Sequence, residues 1–246
     1  MPNIRLEIEY DGTNYCGWQV QSRAKKKSIQ EVIEQALQEI LRKKIKVIAS
    51  GRTDAGVHAR AQTANFKADC SIPPERLQLA LNSILPPDIA ISKVEEVSPD
   101  FHSRFSAKSK LYRYTILNRG HPSALSRDFI HSVWEPLDLK RMRQEAKSLL
   151  GKHDFSAFCA SAGKKKNPVK EIRSLKITKK GDFIYIDIEA NSFLYNMVRN
   201  IAGTLIEAGR GKLKKGALAK ILASKDRKQA GATAPAKGLC LLGAKY

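Results

Sequence analysis

The chain has 246 residues, 42% of them hydrophobic, with only 15 Gly and 10 Pro, so it can enclose a sizeable core and is neither low-complexity nor collagen-like. Ordinary domain sizes make this one large domain or two halves of roughly 100–130 residues, and exclude a mini-protein that depends on metal or disulfide staples. Lys and Arg number 44 against 24 Asp and Glu, and a net charge of +20 repels itself unless it meets a polyanion, which points first to nucleic acid.

Residues 4–10 set Ile4, Leu6, Ile8 and Tyr10 against Arg5, Glu7 and Glu9, the period-2 pattern of a half-buried strand. Ile29, Val32, Ile33, Ala36, Leu37, Ile40 and Leu41 then recur at helical spacing, and Ser28 with Glu31 forms a capping box at the start. Strands are expected over 46–49 and 62–66, on either side of a turn-rich segment at 50–60. A helix over 74–84 and a strand over 88–97 complete the first half, and the polar, basic stretch 98–110 connects it to the second. There a strand over 111–117 places Tyr112, Tyr114 and Ile116 on one face and Arg113 and Thr115 on the other. A helix over 137–150, strands near 169–178 and 183–190, a helix over 193–208, a short basic helix near 215–223 and a terminal strand over 239–245 follow. Strands and helices interleave without a regular βαβ repeat, so the expected class is α+β, in two similar mixed halves, 1–105 and 106–246. No residue-level repeat accompanies that similarity.

Cys16, Cys70, Cys159 and Cys240 lie far apart with no C-x-x-C spacing, which argues against a zinc site or a disulfide framework and fits thiols in a reducing compartment. The first residues, Met1 to Glu7, lack the apolar stretch of a signal peptide, and no apolar run approaches the length of a membrane span. A soluble, cytoplasmic protein without a membrane partner is expected.

No P-loop, H-E-x-x-H, G-x-S-x-G or strand-to-helix G-x-G-x-x-G occurs, which removes the common nucleotide-hydrolysis, zinc-protease, serine-hydrolase and dinucleotide classes. Gly209 and Gly211 end a helix, where glycine is a stop signal. The run Gly51-Arg52-Thr53-Asp54-Ala55-Gly56-Val57-His58-Ala59 brackets a carboxylate with glycines and sets a cation two residues from it. Asp54 reads either as a turn former or as a functional carboxylate. Arg199 falls among Met197, Val198, Ile201, Ala202 and Leu205, so its side chain is expected to cross an apolar wall, where an unpartnered guanidinium is costly. It reads as half of a structural ion pair or as the partner of a functional carboxylate.

From end to end the chain resembles the tRNA pseudouridine synthase A family. The resemblance is carried by Tyr10-Asp11-Gly12 leading to Gly17-Trp18-Gln19, by the nine residues 51–59, and by Leu81-Asn82 before Leu85-Pro86. It continues through Phe101-His102-Ser103-Arg104-Phe105-Ser106-Ala107, through Lys110, Tyr112 and Tyr114, and through His153-Asp154-Phe155. Phe193-Leu194-Tyr195-Asn196-Met197-Val198-Arg199 and Thr233-Ala234-Pro235-Ala236 complete it. Ala61, Thr63, Ser103 and Asn191 replace the usual glycine, valine, alanine and glycine, exchanges that bear on local backbone and substrate range.

The resemblance implies isomerisation of uridine to pseudouridine in the tRNA anticodon stem-loop, at nucleotides 38 to 40, with neither metal nor cofactor. It implies the pseudouridine synthase fold, with largely antiparallel sheets in two α+β halves meeting at a basic cleft, and a homodimer. By motif position Asp54 corresponds to the catalytic aspartate, Tyr112 to the tyrosine that stacks on the target base, Arg199 to the arginine paired with the aspartate, and Arg52 to a residue tied to base flipping. Phe101, His102, Arg104 and Phe105 form a candidate RNA-binding segment, Lys164, Lys165 and Lys166 match a segment that touches tRNA, and Leu239 lines the pocket below the flipped base or is a plain core residue. His58 and His102 are expected to be hydrogen-bonded structural or RNA-contacting residues.

The chemistry suits one carboxylate. The N-glycosidic bond breaks, the uracil rotates while held, and a carbon–carbon bond forms, with no electrons or groups exchanged with a cofactor. Three other functions fit parts of the pattern: a non-catalytic tRNA-binding or refolding protein, a uridine methyltransferase, and a synthase of different uridine specificity. The first has no use for a buried carboxylate, and the second needs a cysteine nucleophile and a cofactor loop that are not apparent.

Overall fold

The computed structural model describes residues 1–21, 25–160 and 167–246. By contact the chain forms two compact units, Met1–Lys108 with Cys240–Tyr246, and Ser109–Leu239.

In the first unit, strand β1 (Asn3–Tyr10) lies antiparallel between β3 (His58–Lys67) and β4 (Ile89–Val97), and β2 (Ile48–Ala49) pairs with β3. The alternation read in residues 4–10 is realised: Ile4, Leu6, Ile8 and Tyr10 are all buried. Each such side chain contributes about 1.5–3 kcal/mol of hydrophobic stabilisation. Helix α1 (Ile29–Leu41) buries Ile29, Ile33, Ala36 and Leu37, and it begins with the capping box, Ser28 Oγ accepting from Glu31 N at 3.1 Å. Helix α2 (Pro74–Ile84) opens on a proline at its first turn and is tied to β4 by Asn82, which donates to Ile91 O at 2.9 Å and accepts from Ile91 N at 2.8 Å. Strand β10 (Leu239–Lys245) runs parallel to β3 through Cys240 opposite His58 and Leu241 opposite Ala59. That pairing groups the tail with the first unit, although by sequence it counts with the second half.

In the second unit, β5 (Ser109–Asn118) is antiparallel to β9 (Phe183–Ala190), β9 to β8 (Val169–Lys180), and β8 to β7 (Gly151–Asp154), while β6 (His131–Val133) adds to β5 in parallel. Ile184, Ile186 and Ile188 of β9 and Tyr114 and Ile116 of β5 are fully buried. Helices α3 (Leu139–Ala146), α4 (Met197–Gly209) and α5 (Ala217–Ser224) complete the unit, and α4 is its buried centre.

Two strands, β6 and β7, escape sequence periodicity because three or four residues cannot display a period. Strand β3 starts at His58, inside the stretch expected to be turn. Helix α4 starts at Met197 instead of residue 193, because Asn196 adopts the left-handed conformation at φ 57° and halts the helix there. Among the described residues, no helix is long and apolar enough to cross a membrane, the four cysteines are free thiols, and no group of three or more His, Cys, Asp and Glu is placed to hold a metal ion.

Replacing Ser28 by Ala removes the side-chain acceptor of α1's first turn and is expected to lower stability by about 1 kcal/mol. A denaturant titration should show an earlier midpoint with an unchanged slope.

Candidate active site

The segment at 50–57 is a loop whose main chain is fastened from several sides. Ser50 N donates to Thr63 O at 2.8 Å, and Trp18 N donates to Thr53 O at 3.1 Å. Buried Gln62 accepts from Ser50 Oγ at 2.7 Å and donates to Gly51 O at 2.8 Å. The Tyr10 hydroxyl and Thr53 Oγ1 share a hydrogen bond of 2.7 Å. Burial raises the Tyr10 phenol far above its ordinary pKa, so this bond keeps its proton across the working range. Thr53 and Val57 are buried, Asp54 between them is half-buried, and Arg52 is exposed. The motif therefore divides into anchoring positions and partly exposed charged ones.

Two glycines let the chain approach this loop. A Cβ on Gly12 would lie 2.1 Å from Val57 O, and one on Gly17, whose φ is +101°, would lie 2.5 Å from Thr53 O. Either contact is impossible for a real side chain. His58, 4% exposed, holds the other end, its Nδ1 at 3.1 Å from both Gly12 N and Asp11 Oδ1. This is a structural position in the bed of the loop.

The segment at 101–105 belongs to the same unit. Asn3 Nδ2 donates to Ser98 O and Phe101 O, each at 2.9 Å, and Ser103 N donates to Asn65 Oδ1 at 2.9 Å. The Phe101 ring packs 4.9 Å from that of Tyr246, whose hydroxyl donates to Ser103 O at 2.9 Å, and the Arg5 guanidinium lies over both rings. His102 Nδ1 accepts from Arg104 N and Phe105 N at 3.2 and 3.3 Å. Phe105 is 75% exposed, with the His102 ring at 4.3 Å and the Arg104 guanidinium 5.6 Å from its centroid. Phe101 is thus an anchor, and Phe105 with Arg104 is an outward-facing aromatic and cationic pair of the kind that stacks on nucleobases.

In the second unit Tyr112 is 6% exposed and meets the Phe193 ring edge-on at 5.1 Å. Arg199 lies in the first turn of α4, where its Nε donates to Ala234 O at 2.8 Å and its Nη1 to Asn196 Oδ1 at 3.2 Å. The expected burial across an apolar wall is corrected here. Arg199 is half-buried, and a backbone carbonyl and an amide oxygen accept from its guanidinium at the start of the helix. Leu239 is buried. Lys164, Lys165 and Lys166 lie outside the described residues.

Sequence patterns did not single out Asn3, Asn65, Gln62 or Tyr246 as supports, since their partners are remote in sequence. Tyr10 and Gly17 did stand in the family motifs, and Thr53 within the nine-residue run.

A family model described as tRNA pseudouridine synthase matches residues 7–106 and 146–246. Asp54 and Arg199 fall inside the matched residues and Tyr112 falls between them. The chain is 47% identical over 242 residues to tRNA pseudouridine synthase A of Thermoanaerobacter sp. (strain X514), covering 98% of both. It is 45% identical over 246 residues to tRNA pseudouridine synthase A of Moorella thermoacetica, covering 100% of both. With tRNA pseudouridine synthase A 2 of Clostridium tetani it shares 48% over 239 residues, 97% of this chain and 96% of the relative. The chain belongs to the tRNA pseudouridine synthase family, whose enzymes isomerise uridine to pseudouridine in tRNA.

Gly17→Ala should displace the main chain on either side of Asp54 and, where this loop forms part of the active site, lower turnover at least about tenfold, since a displacement of about 1 Å at a reacting group can cost on the order of 100-fold. Tritium release from tRNA labelled at uracil C5 measures it, and an unchanged circular dichroism spectrum separates the effect from unfolding.

Proposed function

We propose that this enzyme acts on uridines of the tRNA anticodon stem-loop, at nucleotides 38 to 40, as a cytoplasmic homodimer without metal or cofactor. Asp54 is the nucleophile, Tyr112 stacks on the extruded uracil, and Arg199 is the cation that keeps the carboxylate charged. The observation that carries the assignment is the Asp54 loop: its neighbours Thr53 and Val57 are buried and hydrogen-bonded, while Asp54 keeps partial exposure between them. A turn former needs no such anchorage.

The chemistry balances with one carboxylate. The C1′–N1 bond of uridine breaks, the freed uracil turns while held against Tyr112, a C1′–C5 bond forms, the bond that Asp54 makes to the nucleoside breaks again, and the C5 proton leaves to solvent while N1 gains one. Uridine and pseudouridine are isomers, so nothing is oxidised, reduced or transferred. The base must leave its helix to be reached, and the extrusion cost is met by stacking and phosphate contacts. Arg52 is suited to a role in that extrusion, with Phe105 and Arg104 as further contacts and Phe101 and His102 as their support. Leu239 is assigned to the floor of the base pocket.

Most affinity is assigned to charge. The +20 excess favours the phosphate backbone over any base, and Lys164, Lys165 and Lys166 are proposed as one contact among several. The halves 1–105 and 106–246 are the proposed functional division, Asp54 belonging to the first and Tyr112 and Arg199 to the second.

Asp54→Asn should abolish tritium release while tRNA affinity stays within about tenfold, roughly 1.4 kcal/mol, because the side chain keeps its size. The parent should turn over in chelator with no nucleotide added. Activity of the Asp54→Asn variant near that of the parent would remove Asp54 from its role, and mapping pseudouridines in treated tRNA tests the positions.

Binding should weaken steeply with salt. If at least about four phosphates are neutralised, log affinity against log salt falls with a slope of magnitude about 3 or more. Changing Lys164, Lys165 and Lys166 together to Ala should flatten that slope and spare the single-turnover rate at saturating tRNA. An unchanged slope would place the RNA track elsewhere.

A further inference from the structure

Asn200, one residue beyond Arg199, is fully buried in α4. Its Oδ1 accepts from Thr233 Oγ1 at 2.7 Å and from Arg227 Nη2 at 3.0 Å, and its Nδ2 donates to Phe158 O at 2.8 Å. The orientation of the amide is unambiguous, since a guanidinium cannot accept and a carbonyl cannot donate. Arg227 closes the triangle with Nη2 on Thr233 Oγ1 at 3.0 Å, and its Nη1 donates to Ala230 O at 3.2 Å.

This cluster clasps the segment 230–234 against α4. Gly231 N donates to Thr204 Oγ1 at 3.0 Å, and Thr204 Oγ1 in turn donates to Asn200 O at 2.7 Å. The approach is so close that a Cβ on Gly203 would lie 1.9 Å from Ala232 O. The clasped segment ends on Ala234, which is bonded to Arg199 in both directions. Ala234 N donates to Arg199 O at 3.2 Å, and Arg199 Nε donates to Ala234 O at 2.8 Å. The carbonyl that directs the guanidinium is therefore placed by side chains other than that of Arg199.

We propose that Thr233, Asn200 and Arg227 are positioning residues for the isomerisation, acting by holding the Ala234 carbonyl that directs the Arg199 guanidinium. The inference rests on the role assigned to Arg199 above. It predicts that the hydroxyl of Thr233 matters for turnover through the Ala234 carbonyl. A guanidinium that has lost its Nε acceptor is held less closely in direction, and the loss would appear in kcat more than in KM.

The test is a set of kcat and KM measurements by tritium release, with thermal melting as a check of folding. Thr233→Val keeps the shape and removes the hydroxyl, and it should lower kcat at least about tenfold with KM for tRNA within about threefold. Thr233→Ser restores the hydroxyl and should stay within about threefold of the parent. The deciding comparison repeats Thr233→Val in an Arg199→Lys background, where the Nε bond to Ala234 is already gone. There the second change should cost less than about twofold, as expected for two residues acting through one contact. Parental kcat in Thr233→Val overturns the proposal, and so does an equal loss in both backgrounds, which is the mark of a purely structural residue. Should Thr233→Val melt early, Arg227→Lys is measured in the same two backgrounds and judged by the same criteria. Parental turnover in Arg199→Lys would overturn the proposal together with the guanidinium's role, while the Asp54→Asn result would still decide whether that carboxylate is the nucleophile.

Discussion

The main chain at 53–57 lies closer to Gly12 and Gly17 than any side chain could tolerate, and the candidate site is organised by this contact. A reactive carboxylate on a free loop would sample many orientations and would lose the advantage of being held near its target. Here the loop has almost no freedom. The Trp18 amide and the Tyr10 hydroxyl grip Thr53, Gln62 spans Ser50 and Gly51, and His58 ties the far end to Gly12. Asp54 spends none of its own side chain on the tether to Val57, which uses its backbone carbonyl. Support falls to residues other than the proposed nucleophile.

The second unit applies the same division of labour to a cation. Arg199 stands at the start of α4, where Asn196 in the left-handed conformation turns its amide oxygen to the guanidinium and the Ala234 carbonyl meets Nε. Neither acceptor is charged. Neutral acceptors fix the direction of a guanidinium without neutralising it. Below them lies a polar cluster in which Asn200 and Thr204 of α4, a helix otherwise lined by Met197, Val198, Ile201 and Leu205, bond the segment that carries Arg227, Gly231 and Thr233. A satisfied network of this kind favours one arrangement, because any alternative leaves a buried donor or acceptor unpaired.

The segment at 101–105 shows how aromatic residues of one motif separate into two duties. Phe101 is fastened to Tyr246 and Arg5, and the asparagines Asn3 and Asn65 collect the surrounding backbone groups. Phe105 is left exposed beside Arg104 and His102. An exposed phenylalanine loses hydrophobic stabilisation, and a nucleobase stacked on it would recover part of that loss.

Local physics was legible in the amino-acid order. The alternation of Ile4, Leu6, Ile8 and Tyr10 declared β1, the Ser28 and Glu31 box declared the start of α1, and the charge balance declared a polyanionic partner. The family, and with it the residues proposed to react, followed from motifs at positions 51–59 and 193–199. Tertiary structure decided what depends on partners distant in the chain. It placed the terminal strand beside β3, moved the start of α4 to Met197, and gave Arg199 a carbonyl for its Nε instead of an apolar wall. It also revealed Gln62, Asn65, Tyr246 and Asn200 as supports. Sequence spacing reports periodicity within an element, which is set by neighbours a few residues away, whereas a buried polar group is defined by whichever remote donor or acceptor completes it.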